Sequence, residues 1–155
     1  MLKIVYTKSE EQIGQTKALF TEYAHSLNFD LCFQNFDKEL AGLPGDYAPP
    51  DGCLLLAEYE TKIAGCVALR KFNEGICEMK RLYVKPEFRG KGIGKALAVA
   101  IIEEARKLGY IKMLLDTVPS MKDAIALYRS LGFKEIESYR PNPVEGAIFM
   151  ELSLS

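Results

Sequence analysis

The sequence predicts one mixed α/β domain, a predominantly antiparallel sheet flanked by helices. Three observations carry that reading. Strand-like and helix-like segments alternate in the order β-α-α-β-β-β-α-β-α-β-β, which suits helices packed on one sheet. The 155 residues match a single domain spanning 1–155 and leave no room for a second. The composition, 48% hydrophobic and 26% charged, is that of an ordinary globular core and excludes disordered, collagen-like and coiled-coil classes.

Each element has a local reason. Residues 2–6, Leu2-Lys3-Ile4-Val5-Tyr6, read as a first strand. Ser9 with Gln12 three positions on forms a capping box for a helix whose Ile13, Phe20, Tyr23 and Leu27 share one face. A short helix over 34–41 ends at Gly42, and residues 43–52 are so dense in Gly, Pro and Asp that they form a loop. Runs at 53–59, 63–72 and 76–84 make a three-stranded meander with a turn at Asn73-Glu74-Gly75, and Pro86 ends it. Residues 92–108 form a strong helix, with Ile93, Leu97, Ile101 and Ala105 one turn apart and Gly109 closing it. A strand at 111–117 leads to a helix through Ala124, Leu127 and Leu131, predicted to be capped by Ser120 with Asp123 and closed by Gly132. Strands at 133–139 and 147–154 flank a loop at Pro141-Asn142-Pro143.

Several functional classes are disfavoured at this stage. No uncharged apolar run, 52–57 among them, comes near a membrane span, which needs about 20 residues. The first residues lack the apolar core and cleavage site of an export signal. A formal charge of −1 argues against nucleic-acid or membrane-surface binding. Cys32, Cys53, Cys66 and Cys77 form no C-x-x-C pair, and His25 is the sole histidine, so no metal site is expected. The expectation is a cytoplasmic protein with reduced, buried thiols.

The sharpest feature is Arg89-Gly90-Lys91-Gly92-Ile93-Gly94-Lys95, which joins a strand to a long helix. Alternate glycines permit positive φ and close approach of a ligand to the main chain, while the helix N–H groups favour an anion. Residues 80–95 hold six Lys or Arg (80, 81, 85, 89, 91 and 95) against Glu87, a field suited to pyrophosphate. A Walker A loop fails, because Arg89 takes the first glycine position and Ala96 the hydroxyl position. The dinucleotide pattern fails at Lys95.

The motif Arg89-Gly90-Lys91-Gly92-Ile93-Gly94 resembles the R/Q-x-x-G-x-G/A signature of the GNAT superfamily of acetyl-CoA-dependent N-acetyltransferases. Residues 124–133, Ala-Ile-Ala-Leu-Tyr-Arg-Ser-Leu-Gly-Phe, are similar to its A-x-x-L-Y-x-x-x-G-F segment, and the element order is also that family's. The resemblance implies the cofactor acetyl-CoA, with no metal, its pyrophosphate on the amides of Arg89, Gly90, Lys91, Gly92, Gly94 and Lys95. It implies that the backbone of Leu82 and Val84 pairs with pantetheine as an added strand. The Leu82 N–H would then face the thioester oxygen as an oxyanion donor. Tyr128 occupies the family's place for the acid that protonates the CoA thiolate; packing of this tyrosine on the core is the other reading. Glu78 stands where some members carry a general base, and an ion pair with Lys80 or Arg70 is its alternative. Met121 replaces an asparagine common in the family, which removes one pantetheine hydrogen bond or hands it to Ser120.

The acceptor implied is an amine of a small molecule or peptide. Residues 28–60 carry Asp30, Asp37, Glu39, Asp46, Asp51, Glu58 and Glu60 against Lys38. With Phe29, Phe33, Phe36 and Tyr47 they form either an acidic wall for a cationic amine or a solvated face. Family members are often dimers, so the resemblance allows a homodimer. A second functional class is a catalytically silent acyl-CoA sensor or scaffold, which would need only the cofactor site.

Overall fold

The computed structural model describes residues 1–27, 36–142 and 144–154. Its elements follow the predicted order: β1 Leu2–Tyr6, α1 Glu10–Ser26, α2 Phe36–Ala41, β2 Cys53–Tyr59, β3 Lys62–Asn73, β4 Ile76–Val84, α3 Ile93–Lys107, β5 Lys112–Thr117, α4 Lys122–Ser130, β6 Lys134–Ile136 and β7 Ile148–Ser153. The seven strands form one sheet in the order β1-β2-β3-β4-β5-β7-β6, antiparallel at every junction but β4–β5.

Local chemistry explains the element ends. The Ser9 hydroxyl accepts from the Gln12 N–H at 3.1 Å, and the Gln12 side chain accepts from the Ser9 N–H at 3.0 Å, completing the capping box. At α4 the expectation fails. Met121, not Ser120, holds the N-cap position, and no side chain caps the helix. The penultimate strand also shortens, because residues after Ile136 leave β6 and cross the sheet to meet β4. The predicted beginning of α2 at residue 34, together with Phe29, Asp30, Cys32 and Phe33, lies outside the described residues.

The sheet separates two apolar cores. Val67, Leu69, Cys77 and Met79 face α3 and α4, packing on Leu97, Ile101, Ala105 and Tyr128. Leu54, Leu56, Cys66, Ala68 and Tyr83 face Leu19 and Phe20 of α1 and Phe36 of α2. Burying each large apolar side chain stabilises the fold by about 1.5–3 kcal/mol. Cys53, Cys66 and Cys77 are free and buried within these cores. Among the described residues, no helix is long and apolar enough to cross a membrane.

Two irregularities in β4 build the site. Lys80 opposes Ala68 while Tyr83 opposes Cys66, so Arg81 and Leu82 together face Val67 in a bulge. Arg81 takes a left-handed conformation there, with φ 60. Gly65 lies beside it, where a Cβ would stand 2.4 Å from the Tyr83 carbonyl oxygen. The parallel ladder between β4 and β5 covers only Ile76–Glu78 against Lys112–Leu114. Past Glu78 the two strands carry no mutual pairing, and a wedge opens between them.

Candidate active site

Two clefts meet at Leu82. The larger, about 600 Å³, lies between the C-terminal half of β4, the glycine turn and the start of α4; Leu82, Val84, Arg89, Gly90, Gly92 and Gly94 line it opposite Ser120, Met121, Lys122 and Leu127. The smaller is the wedge itself, lined by Tyr23, Lys80, Arg81, Leu82, Asp116, Thr117, Met121 and Tyr128.

The glycine turn has the geometry an anion needs. Gly90 and Gly92 have positive φ, 81 and 78 respectively, and a Cβ on either would meet no heavy atom within 4 Å. The space above them is open. Gly92 immediately precedes the first turn of α3, whose N–H groups lack intrahelical partners. Gly94 has no such backbone requirement; a Cβ there would make ordinary contact with Val84 at 3.7 Å. The turn and the unpaired stretch of β4 therefore fit a long, phosphate-bearing ligand.

The expected cationic field is smaller than the sequence suggests. Lys80 is 5% exposed on the far face of the sheet, its Nζ 3.9 Å from Asp116 Oδ1. Arg81 forms a two-point pair with Glu39, its Nε and Nη2 each donating at 2.9 Å. Lys85 pairs with Glu22 at 3.0 Å. Lys91 Nζ sits 5.3 Å over the Tyr59 ring, and Lys95 is exposed on α3, so neither side chain lines the cleft. Arg89 lines it but donates through Nε to the Val84 carbonyl at 3.1 Å, the backbone group expected to pair with pantetheine. Lys122 joins it from α4, a residue that no motif in the sequence marks.

Tyr128 lies at the wedge, 8% exposed, with its ring edge-on to Phe133 at 5.7 Å. Burial, with smaller effects from Tyr23 and Asp116, pushes its phenol well above the ordinary value, so it keeps its proton at neutral pH. Lys80 is shifted the other way. Burial brings it down to about 8, although Glu78 and Asp116 oppose the shift.

Glu78 is 0% exposed, and both of its oxygens are engaged. Oε1 accepts from Arg70 Nε at 2.9 Å; Oε2 accepts from the Tyr139 hydroxyl at 2.7 Å and from Arg140 Nη2. Burial alone would raise its pKa, but Lys80, Arg70, Arg140 and the Tyr139 hydroxyl outweigh that and hold it below the usual carboxylate value. Of the two sequence readings of Glu78, this is the ion-paired arrangement, with Arg140 as a partner the sequence does not reveal. The segment carrying Tyr139 and Arg140 continues to Asn142, whose amide donates to Asp116 at 3.3 Å.

Among the described residues, none of the acids of the expected wall lines either cleft. Glu39 is neutralised by Arg81, Glu60 pairs with the N-terminal amine, and Asp37, Asp46 and Asp51 are exposed. Phe36 is buried beneath the Arg81 guanidinium at 5.4 Å, and Tyr47 is 2% exposed. His25 is exposed in the last turn of α1, outside the linings of both clefts.

Comparison with known proteins decides the family. The model of the acetyltransferase (GNAT) family matches residues 16–133. The chain belongs to that family. It is 43% identical over 156 residues to an uncharacterized N-acetyltransferase of Schizosaccharomyces pombe, covering 99% of this chain and 96% of the relative. It is 38% identical over 111 residues to the IAA acetyltransferase of Azospirillum brasilense, covering 69% of this chain and 71% of that one. Its fold is similar to that of PaiA N-acetyltransferase from Thermoplasma acidophilum, solved in complex with coenzyme A, with a TM-score of 0.75, 20% identity and 99% of each chain covered. This GNAT chain is an N-acetyltransferase by family, and its fold agrees.

Proposed function

We propose that this GNAT enzyme transfers an acetyl group from acetyl-CoA to a primary amine of a small molecule or peptide, by direct attack of the amine on the thioester. The meeting of the two clefts at Leu82 carries the reading: one suits a phosphate-bearing chain, the other holds a buried phenol, and Leu82 and Met121 line both.

Bound acetyl-CoA supplies the activated acyl carbon and a thiolate leaving group. The turn at Gly90 and Gly92 presents open backbone to its phosphates, and the unpaired stretch of β4 offers a strand edge to its arm. The Leu82 N–H acts as the oxyanion donor, set by the bulge at Arg81. Tyr128 protonates the departing thiolate, since its phenol is held protonated at the wedge. Glu78 serves as an anchor for Arg70 and Arg140, and the amine loses its proton to water. The three buried free thiols support a reducing, cytoplasmic setting.

The test follows release of free CoA thiol over a panel of amines, alongside calorimetry of acetyl-CoA binding. Binding in the micromolar range with turnover of at least one amine is expected. Binding with no turnover of any amine would instead make the chain a silent acyl-CoA-binding module.

A further inference from the structure

The wedge between β4 and β5 has two unlike faces. Met79, Leu82, Leu115 and Tyr128 belong to the apolar core beneath α3 and α4, whereas Tyr23 packs in the core on the α1 side. Lys80 and Asp116 supply charge to the same space. The wedge is small, about 40 Å³, room for about three water-sized groups at roughly 10–15 Å³ each.

Met121 stands where this space opens onto the cofactor cleft. Among the described residues, only Met121 and Leu82 line both clefts, one from the start of α4 and the other from β4. A group reaching from one cleft into the other passes between these two side chains. Methionine is ordinarily a yielding wall, since its three rotatable bonds let it move aside. This one is held. Its N–H donates to the Val118 carbonyl at 3.0 Å, and its own carbonyl accepts from the Ile125 N–H at 3.0 Å. Its Sδ accepts from the Thr117 hydroxyl at 3.6 Å. Thr117 is 7% exposed, and its hydroxyl has no other hydrogen bond among the described residues. Swinging the thioether away would leave that buried donor unsatisfied.

We infer that Met121, pinned by Thr117, limits the acyl group this enzyme transfers, closing the wedge behind an acetyl methyl and excluding the longer chains of other acyl-CoA thioesters. This deepens the proposed acetyl transfer and rests on that reading, which sets the acyl carbonyl at the Leu82 N–H.

From Leu82 the acyl chain meets the apolar face formed by Met79, Leu115 and Tyr128, with Met121 beside it. An acetyl group brings a single methyl, and the methyl together with the attacking nitrogen fits the space. A butyryl group brings two further carbons and has to displace the thioether, against the hold of Thr117.

Acetyl-, propionyl- and butyryl-CoA test it, each followed by CoA thiol release and by calorimetry, with CoA itself as the binding reference. Wild type should favour acetyl-CoA over butyryl-CoA at least about tenfold in kcat/KM, and should bind it more tightly. Met121→Ala removes the Cγ, Sδ and Cε atoms, so in this variant, with folding checked by circular dichroism, both ratios should fall toward one. Thr117→Val keeps the shape of the residue without its hydroxyl and should relax the preference part-way. A loss of affinity for CoA itself would act on all three thioesters alike and leave the ratios fixed, as would a merely structural role for Met121. Wild-type use of butyryl-CoA as fast as acetyl-CoA, or unchanged ratios in folded Met121→Ala, would overturn the inference while leaving acetyl transfer intact. Unchanged ratios in Thr117→Val alone would overturn the pin. No turnover of any thioester would remove the transfer reaction, and the ratio of dissociation constants would still decide whether Met121 measures the acyl group.

Discussion

Glu78 lines neither cleft while Tyr128 lines the wedge, and the structure assigns them opposite sensitivities. Removing the charge of the buried Glu78 by Glu78→Gln leaves two half-buried arginines without their carboxylate. Stability should then fall by about 3–5 kcal/mol, the scale of breaking a buried ion pair. Denaturant titration reads that loss, and kcat per folded molecule should stay within a few-fold of wild type; a large drop in kcat with unchanged stability would restore Glu78 as the base. Its pKa is lowered in the folded state, so its stabilisation is complete above about pH 4.5 and is lost as pH falls through the folded value. The variant should flatten this acid limb. Tyr128→Phe keeps the ring on Phe133 and deletes only the hydroxyl. The melting temperature should barely move while kcat falls about 10²-fold or more. A kcat within threefold of wild type would end its role as acid. Tyr128 is legible in the sequence because it sits in a contiguous motif. Arg140 is not, because its contact with Glu78 spans 62 residues and no local pattern announces it.

Among the elements, β4 decides most. A strict alternation of faces would keep Glu78, Lys80 and Leu82 together, and the cations from 80 onward then read as one field. The bulge at Arg81 breaks that parity: Tyr83 packs toward α1, Leu82 and Val84 toward α3, and Lys80 and Arg81 turn to the acceptor side. Sequence alternation carries no sign of an inserted residue, whereas the strand–glycine–helix punctuation around it is plain. The neighbouring glycine provides the test. Gly65→Ala places a Cβ against the Tyr83 backbone. It should cost about 1–3 kcal/mol as overpacking and also weaken acetyl-CoA binding by displacing Leu82. Gly92→Val meets no such neighbour, so its effect comes from positive φ and from filling the phosphate space. Acetyl-CoA affinity should drop at least tenfold, about 1.4 kcal/mol, in a folded protein; unchanged binding by calorimetry would refute the turn as the pyrophosphate site.

Over the whole molecule, buried thiols set the alkaline limit of stability. Burial pushes Cys53 and Cys77 up to about 12 and Cys66 higher still, from an ordinary value of 9.0. As pH rises past that value the unfolded chain releases thiol protons that the folded chain retains, so stability falls between about pH 9 and pH 12. Lys80 acts in the other direction. Its folded value of about 8 lies below the ordinary 10.5, so between those values the unfolded state binds more protons and stability rises. The three thiols outweigh the one ammonium, and above about pH 10 buried phenols such as Tyr47 and Tyr128, also raised, add to the loss, so the urea midpoint should be lower at about pH 10.5 than at about pH 8. An equal or higher midpoint at the alkaline pH would contradict the burial of these thiols.

The short ladder between β4 and β5, Ile76–Glu78 against Lys112–Leu114, also makes a seam through the sheet. On one side the β1–β4 meander is held by long antiparallel ladders; on the other, β5, β7 and β6 form a separate antiparallel unit. Amide hydrogen exchange should therefore resolve two cooperative blocks, with the β5–β7–β6 block opening at lower free energy than the meander. A ligand arm lying along the free edge of β4 and touching α4 acts as a rivet across that seam. Saturating acetyl-CoA should then slow exchange in both blocks together, including amides of β7 far from the glycine turn.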